Sequence, residues 1–567
     1  MTRPEPSTMT GTRRRPSRRL AAALVGAALA GGAALWPVRA AQPSPPRRPS
    51  LLVLVVVDQM RAEYLTRYAS LWSGGFKRLL EQGAIYDQTF YPYLNTVTCA
   101  GHATLGTGAW PKTHGVILNQ WFHRDIGDVR PCTADPSATT YTYGGASGGD
   151  GHSAVQLKVP TLGERLRRWR RESRVVTMSM KARSAIMMAG KDATAVTWFG
   201  GNGWQTSSAY GRPRRQVARF LTAQPYTNDV NTVWERLHPA DSYTGRDDGV
   251  GERPATGWQA VFPHPLSGTA AGTFRDLWEE SPYSDAYLGA MAEAAVRDFK
   301  LGQRGVPDFL GVSFSATDHV GHSFGPDSHE VQDVLARLDR TLGRLLTFLD
   351  TAVGRDRYVL ALSSDHGVAT VPEATQAAGG RAGRVPLGAV RTAVDKALAE
   401  LGAGPHVARA EYTQVYLTRE AQAKATAATM APAIAALRAI PGIATAVWNG
   451  DLAAAHDDVA PDLLAAIRAG HVAERSGDIT IVPAPDWIFV PGNQADGGDG
   501  TTHGSPHTYD QHVPLVFLGA AFQAGHYGTR VTPADLAPTL AATIGVPMRD
   551  VEGRPLTDAV TQRAPAQ

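Results

Sequence analysis

The chain has 567 residues, of which 43% are hydrophobic and 19% charged, so it is neither a collagen-like nor a globally disordered protein. Its length exceeds what one ordinary core accommodates and predicts two to four structural units. The formal charge of +4 comes from residues 1–40, which hold seven of the 56 basic and one of the 52 acidic residues, so the remainder carries −2. We therefore expect no nucleic-acid partner.

Residues 1–40 are predicted to be a signal peptide for export. A basic stretch up to Arg19 precedes an apolar run from Leu20 to Trp36, and Val38-Arg39-Ala40 offers small residues at a cleavage site. Ser17-Arg18-Arg19 leaves the Sec and twin-arginine routes both open. An uncleaved anchor is the alternative, but a Gly-rich run of about 17 residues is short for a spanning helix. We expect a periplasmic or extracellular protein with no stable membrane insertion after cleavage.

Unbroken apolar runs predict strands that are buried on both faces, as in a parallel sheet. These runs are Leu51–Val57, Arg174–Met180, Phe309–Phe314, Tyr358–Leu362 and Val513–Leu518. Helical patterns lie between or after them, at Gly75–Gly83, Ser328–Leu349, Ala389–Leu401, Ala421–Ile440 and Thr532–Ile544. The alternation of strands and helices predicts an α/β fold, with a doubly wound, mostly parallel sheet flanked by helices.

Two stretches interrupt this alternation, and we interpret them as inserted cap segments over one edge of the sheet. Residues 195–300 are rich in Trp, Gly and Pro, whereas residues 370–490 hold Ala-rich helices. The core is then expected in three parts, at residues 51–194, 301–369 and 491–567. Residues 41–50 are Pro-rich and are interpreted as a tether before the first part.

The chain has two cysteines, Cys99 and Cys132. A pair can form in an oxidising compartment, where closing a loop of about 34 residues adds on the order of 3 kcal/mol by the chain-entropy model. Two unpaired thiols are the alternative. Two cysteines cannot build a cysteine-rich zinc site, so a bound metal would need His and Asp ligands.

Five short segments place Asp, His or Thr after the predicted strands, where open α/β sheets bind ligands. They contain Asp58; Thr98 in Thr98-Cys99-Ala100-Gly101-His102; Asp318 and His322; Asp365 and His366; and His503. Singly, an Asp or Thr of this kind is more often a helix cap, and a His a satisfied polar group. Together they supply three Asp and three His, a ligand set that zinc accepts, and two close zinc ions suit phosphoryl displacement.

The order of these segments resembles the alkaline phosphatase superfamily, including its type I phosphodiesterase and nucleotide pyrophosphatase branch. The resemblance runs from about Leu51 to Pro547 and implies an alkaline phosphatase-like fold with two Zn²⁺ ions. One ion would be held by Asp318, His322 and His503, and the other by Asp58, Asp365, His366 and the Thr98 oxygen. The i,i+4 spacing of Asp318 and His322 allows one helical turn to bring both to one ion. The neighbouring His102, His319 and His507 are expected to support the site rather than to bind metal.

The resemblance also makes Thr98 the nucleophile, activated by zinc and followed by a helix whose N–H groups can face phosphoryl oxygens. Lys181-Ala182-Arg183 and Asn119 are similar to the Lys-x-Arg and asparagine of the PafA-type alkaline phosphatases, which use a threonine nucleophile. Diesterases share the asparagine but generally lack the Lys-x-Arg. From spacing alone, a solvated basic pair is the alternative. A Lys and a bidentate Arg neutralise the extra negative oxygen of a monoester dianion.

We therefore expect an exported, monomeric, zinc-dependent phosphatase that hydrolyses small-molecule phosphate monoesters through a phosphothreonine intermediate. Two displacements at phosphorus predict net retention of configuration. A phosphodiesterase or nucleotide pyrophosphatase with the same two-zinc site is the nearest alternative. A sulfatase or phosphonate hydrolase is a further alternative, although the sulfatase Cys-x-Pro-x-Arg pattern is absent at Cys99, and a non-enzymatic binding protein is the most distant one.

Overall fold

The computed structural model describes residues 48–560, except positions 147, 202, 270, 271, 455, 456 and 497. The predicted signal peptide and most of the predicted tether lie outside these residues. Within them, no helix combines the length and the apolarity that a membrane span requires.

The described residues form twenty strands. They are β1 (Leu51–Val57), β2 (Ala84–Thr89), β3 (Gln120–His123), β4 (Asp128–Pro131), β5 (Thr140–Thr142), β6 (Val175–Ser179), β7 (Ala195–Gly200), β8 (Gly203–Ser207), β9 (Val233–Trp234), β10 (His264–Pro265), β11 (Asp308–Phe314), β12 (Tyr358–Ser363), β13 (Gly383–Pro386), β14 (Val407–Glu411), β15 (Gln414–Leu417), β16 (Ile443–Trp448), β17 (Ile479–Pro483), β18 (Trp487–Val490), β19 (Leu515–Leu518) and β20 (Gly525–Val531).

The α-helices of the same residues lie mostly between these strands. They are α1 (Tyr64–Arg67), α2 (Gly75–Gln82), α3 (Thr98–Thr107), α4 (Pro111–His114), α5 (Leu162–Trp169), α6 (Ala182–Ala189), α7 (Arg215–Ala223), α8 (Thr273–Glu279), α9 (Pro282–Asp298), α10 (Ala316–Phe324), α11 (His329–Leu349), α12 (Pro372–Ala377), α13 (Leu387–Ala397), α14 (Arg419–Ala423), α15 (Ala427–Arg438), α16 (Pro461–Gly470), α17 (Thr508–Gln511) and α18 (Leu536–Ile544).

Ten strands form the main sheet, in the order β20-β2-β19-β12-β1-β11-β6-β7-β8-β5. The five central strands from β12 to β7 run parallel to one another, and antiparallel pairs lie on both sides of them. The prediction of a mostly parallel α/β sheet flanked by helices is confirmed. All five predicted strands are present, with ends shifted by at most two residues.

The central strand β1 explains why its sequence is apolar without interruption. Leu51, Val53 and Val55 pack into a core beneath α9 and α11, whereas Leu52 and Leu54 pack into a second core beneath α3, α6 and α18. Each of these side chains is buried, and full burial of a Val or Leu is worth about 1.5–3 kcal/mol. Two covered faces therefore fix the strand from which the site is built.

One predicted helix is wrong in its extent. Instead of a single helix over Ala421–Ile440, the chain forms α14 and α15, and Thr426 separates them. The Thr426 hydroxyl accepts a hydrogen bond from the Thr429 N–H at 3.2 Å, which caps the second helix. The predicted helix at Thr532–Ile544 begins as a 3₁₀ turn, Pro533–Asp535, before α18.

The two predicted insertions differ in their relation to the main sheet. Residues 195–207 form β7 and β8 of the main sheet, so that sheet extends past the boundary expected at residue 194. The other stretch, residues 370–490, contains a separate four-stranded sheet, β14-β15-β17-β16, with its own hydrophobic core. The remaining predicted boundaries between core and insertions stay a prediction.

Candidate metal centre and nucleophile

Three parallel strands end side by side and lead into the carboxylates of the site. β1 ends at Val57 and is followed by Asp58, and β12 ends at Ser363, two residues before Asp365. β11 pairs with β1 on the other side and leads into α10, which carries Asp318. Because parallel strands present their carboxyl ends at one edge of a sheet, these carboxylates converge although they are far apart in sequence.

Asp58, Asp365 and His366 form what we call the first ligand group. Their ligand atoms all lie within 4.8 Å of one another, and His366 Nε2 is 3.4 Å from both Asp58 Oδ1 and Asp365 Oδ2. Asp58 Oδ1 is buried and accepts no hydrogen bond from the described residues. Asp365 Oδ2 is also buried and lies 3.0 Å from His102 Nδ1. Buried carboxylate oxygens are costly without a donor or a cation, so the first ligand group fits a metal ion.

Asp318, His322 and His503 form the second ligand group, again with ligand atoms within 4.8 Å of one another. His322 Nε2 lies 3.4 Å and His503 Nε2 3.6 Å from Asp318 Oδ1. One turn of α10 brings Asp318 and His322 together, as the i,i+4 spacing predicts. The His503 ring stacks on the His366 ring with centroids 3.5 Å apart, so the two ligand groups are adjacent.

The three histidines of the ligand groups share one orientation. Each Nδ1 lies near a backbone carbonyl oxygen, that of Thr501 for His322 (2.8 Å), of Thr96 for His503 (3.0 Å) and of Gly367 for His366 (2.9 Å). A carbonyl only accepts, so Nδ1 carries the proton and Nε2 presents its lone pair to the carboxylates. A lone pair facing a carboxylate oxygen is repulsive without a cation, and metal-ligating histidines adopt this orientation.

Burial is the largest influence on the pKa of Asp58 and of His503. It raises the pKa of Asp58 well above its ordinary value, and the nearby carboxylates of Asp318 and Asp365 add to this effect. It also lowers the pKa of His503 well below its ordinary value, and the neighbouring histidines add to that. A neutral His503 is the form that binds a metal ion. The site is therefore an electrostatic environment that positive charge stabilises.

Thr98 is the first residue of α3, and its hydroxyl faces the first ligand group. Thr98 Oγ1 lies 3.3 Å from His366 Nε2, and the side chain is buried. The N-cap of α3 is Val97, and the hydroxyl of Thr98 contacts the His366 ring nitrogen. The alternative role of Thr98 as an N-cap is therefore wrong, and its hydroxyl lies beside candidate metal ligands.

Asn119 contacts the start of the same helix. Its Oδ1 accepts a hydrogen bond from the backbone N–H of Cys99 at 2.8 Å. This contact changes one expectation, because the Cys99 N–H is taken by Asn119 and does not face a phosphoryl oxygen. Cys99 is disulfide-bonded to Cys132, so the predicted pairing is confirmed and the alternative of two free thiols is wrong.

Lys181 bridges the two ligand groups. Its Nζ donates to Asp58 Oδ2 at 2.7 Å and also donates to Asp318 Oδ2. Burial alone would lower the pKa of Lys181, but these two carboxylates raise it above its ordinary value. Sequence reasoning placed this ammonium on a substrate oxygen, whereas here it contacts carboxylates of the same site. Arg183 Nε is buried and has no hydrogen-bond partner in the described residues.

Two further residues support the carboxylates: Gln59, which sequence reasoning missed, and His102, which was expected to support the site. Gln59 donates from its backbone N–H to Asp365 Oδ1 (3.2 Å) and from Nε2 to Asp318 Oδ1 (2.9 Å). Its φ of 68° is left-handed, which no signal in the sequence predicts for a glutamine. His102 Nδ1 lies 3.0 Å from Asp365 Oδ2, and its i+4 spacing from Thr98 could have indicated this.

The other two histidines near the predicted segments, His319 and His507, belong to neither ligand group. His507 Nε2 lies 3.0 Å from the carbonyl oxygen of Pro483. His319 is buried, and burial lowers its pKa to about 3. The geometry thus separates three histidines in the ligand groups from three others nearby.

Gly101 is where α3 touches the backbone of the first ligand group. A Cβ at Gly101 would lie 2.2 Å from the carbonyl oxygen of Asp365. We expect Gly101→Ala to lower the free energy of unfolding by about 1–3 kcal/mol, as overpacking does, and to weaken metal binding. Denaturant unfolding and metal titration measure both effects.

Gly470→Ala in α16 is the matched control, because the nearest atoms to its added Cβ lie 3.8 Å away. This control should leave the free energy of unfolding unchanged or raise it. If Gly101→Ala and Gly470→Ala lowered the free energy of unfolding and the metal affinity equally, the close approach of α3 to Asp365 at Gly101 would be unimportant.

The chain is similar over most of its length to several known proteins. The chain is 32% identical over 534 residues to a protein named calcium-transporting ATPase from Myroides odoratus (91% of this chain, 95% of the other). It is 32% identical over 517 residues to alkaline phosphatase PhoV from Synechococcus elongatus (88% and 90%). Alkaline phosphatase PafA from Elizabethkingia meningoseptica is 29% identical over 545 residues (90% and 95%).

The crystal structure of wild-type PafA matches the fold with a TM-score of 0.84, covering 91% of this chain and 99% of that chain. A solved variant of PafA is altered at a Thr, an Asn, a Lys and an Arg. The intervals between those four positions, 21, 62 and 2 residues, equal the intervals in this chain between Thr98, Asn119, Lys181 and Arg183.

The family model described as type I phosphodiesterase / nucleotide pyrophosphatase matches residues 52–510, which is most of the chain. The chain therefore belongs to the type I phosphodiesterase / nucleotide pyrophosphatase family, as a phosphoric ester hydrolase of the alkaline phosphatase type.

Proposed function

We propose that the protein is an exported, zinc-dependent phosphatase that hydrolyses small-molecule phosphate monoesters through a phosphothreonine on Thr98. The observation that carries this proposal is the buried hydroxyl of Thr98, 3.3 Å from a histidine nitrogen of the first ligand group. A hydroxyl beside two adjacent metal sites suits phosphoryl transfer.

The metal ions would be held by side chains that already converge. Asp58, Asp365 and His366 would hold one zinc ion, next to the Thr98 oxygen, and the second ligand group would hold the other. Three protein ligands with an open position are typical of catalytic zinc sites. Zinc, when bound, lowers the pKa of a coordinated hydroxyl or water and neutralises charge on phosphoryl oxygens.

Thr98 would perform the first displacement. Attack of its deprotonated Oγ on phosphorus breaks the bond to the leaving alcohol oxygen and forms phosphothreonine, which water then hydrolyses. Two in-line displacements give net retention at phosphorus. Thr98 begins α3, and the hydrogen bond from the Cys99 N–H to Asn119 Oδ1 helps to hold this start of the helix for in-line attack.

Asn119, Lys181 and Arg183 would bind the non-bridging phosphoryl oxygens. The equal intervals in the altered PafA variant support this assignment. Arg183 Nε is buried and has no hydrogen-bond partner in the described residues, so it is a donor that a substrate oxygen could satisfy. Lys181 would serve both the ligand carboxylates and the substrate, since its ammonium lies between Asp58 and Asp318.

Export is supported by the leader pattern of residues 1–40 and by the disulfide, since disulfides persist in oxidising compartments. The monomeric state stays a prediction.

Arg183→Ala tests the preference for monoesters. The kcat/KM for an aryl phosphate monoester should fall by roughly 100-fold, the usual cost of one lost oxyanion donor. The kcat/KM for a bis-aryl diester should change little, because an alkyl or aryl group replaces the extra charged oxygen. Arg215→Ala is the control, because Arg215 is exposed on α7, and it should affect neither substrate. Equal losses on both esters would refute the preference for monoesters.

A further inference from the structure

Both cysteines of the disulfide donate a backbone hydrogen bond to Asn119. The Cys99 N–H donates to the side-chain Oδ1 of Asn119 at 2.8 Å, and the Cys132 N–H donates to its backbone oxygen, also at 2.8 Å. The Cys99–Cys132 bond joins the two donors covalently. Asn119 is therefore fixed at its main chain and at its side chain by one cross-linked unit.

The amide of Asn119 has only one orientation in this arrangement. A backbone N–H is a donor, so the atom that faces Cys99 must be the amide oxygen. Nδ2 is then the group left to donate a hydrogen bond elsewhere. Because Thr98 directly precedes Cys99, the same unit sets the orientation of this amide relative to the nucleophile.

The segment between Asn119 and Cys132 shows what the disulfide secures. It is the hairpin of β3 and β4, whose residues 125–128 at the tip are exposed. Trp121 at its base is buried, but the last residues of β4, Arg130 and Pro131, are exposed. Packing therefore secures the first strand of the hairpin, while the disulfide secures its end against α3.

We infer that Cys99 and Cys132 are positioning residues for the reaction: their disulfide aligns the Asn119 Nδ2–H, next to Thr98, for a phosphoryl oxygen of the substrate. The inference rests on the proposed function. It goes beyond that function because it makes the contribution of Asn119 to substrate binding and turnover depend on the disulfide. Both esters have such an oxygen, so the disulfide should matter equally for monoesters and diesters, unlike Arg183.

A double-mutant cycle tests this dependence. Cys99→Ala/Cys132→Ala is combined with Asn119→Ala, and kcat/KM is measured for an aryl monoester and a diester. Loss of the disulfide alone should lower kcat/KM by roughly 10- to 100-fold, the scale of a small misplacement. On the Asn119→Ala background, loss of the disulfide should cost no more than about a further 2-fold, because the group that it positions is already absent.

Binding of inorganic phosphate, measured by calorimetry, is the readout that does not need turnover. The dissociation constant should rise in each variant and should not rise further when they are combined. Zinc content and the unfolding midpoint are measured alongside. If the double alanine variant does not fold, Asn119→Asp is used in the intact disulfide, because Asp still accepts from the Cys99 N–H but offers no Nδ2 donor. It should bind phosphate no better than Asn119→Ala.

The outcomes separate the inference from the proposed function. Three outcomes would each overturn the inference and leave the proposed hydrolase function intact. They are losses of kcat/KM that multiply when the two changes are combined, an unchanged kcat/KM without the disulfide, and wild-type phosphate binding by Asn119→Asp. A wild-type enzyme that hydrolyses neither ester would refute the proposed function, and phosphate binding would still test the positioning.

Discussion

Replacing Thr98 by alanine is expected to abolish phosphoester turnover while leaving metal binding nearly unchanged. The hydroxyl lies 3.3 Å from His366 Nε2, yet it belongs to neither group of Asp and His ligands. Loss of a nucleophile typically costs roughly 10⁴-fold or more in kcat, and the remaining rate reflects the charged site alone. Steady-state kinetics with an aryl monoester and zinc analysis of the same sample measure the two quantities.

Thr98→Ser is the matched control, because it keeps a hydroxyl at the same place on α3. It should retain most of the activity that the alanine variant loses. Mass spectrometry after an acid quench should find phosphate on residue 98 in the wild type and in the serine variant. Undiminished activity of Thr98→Ala would remove Thr98 from the mechanism, whatever its position.

Replacing one residue in each ligand group should remove one zinc ion each time and nearly all activity. Asp365→Ala removes an oxygen from the first ligand group, and His322→Ala removes a nitrogen from the second. The metal content should fall from two to one ion per chain in each variant. We expect kcat to fall by roughly 1,000-fold or more, because two-metal sites stabilise both the attacking and the leaving oxygen.

His507→Ala is the control for this pair, since its ring lies against the Pro483 carbonyl and in neither ligand group. It should keep both ions and most of the activity. If His507→Ala lost an ion as readily as His322→Ala, the division of the histidines into ligands and supports would be wrong.

Much of the fold followed from patterns that depend on burial alone. The run Leu51–Val57 predicted a strand covered on both faces, and β1 has these bounds because both of its faces meet helices. The helix predicted over Ala421–Ile440 failed because its alanines suit a helix at every position and hide the break at Thr426. The strands β7 and β8 were not predicted as part of the main sheet, and β8 begins by alternating partly exposed with buried residues, which weakens its apolar signal.

The site was predictable where residue type and strand ends coincide, as at Asp58 and Asp365. The contacts of Lys181 were not predictable, because the side chain reaches carboxylates on two strands whose separation only the folded sheet sets. Two further features depend on local geometry that no sequence pattern indicates. They are the left-handed backbone of Gln59 and the pair of hydrogen bonds that Asn119 accepts from Cys99 and Cys132. Sequence reasoning therefore identified the side chains of the two candidate ligand groups but could not place the supporting contacts.

Anomalous scattering from a crystal of the purified protein, recorded on both sides of the zinc absorption edge, tests the central claim most directly. The account predicts two zinc peaks, one among Asp58, Asp365 and His366 and one among Asp318, His322 and His503, with the Thr98 oxygen beside the first. A single peak, or peaks away from these six side chains, would contradict it.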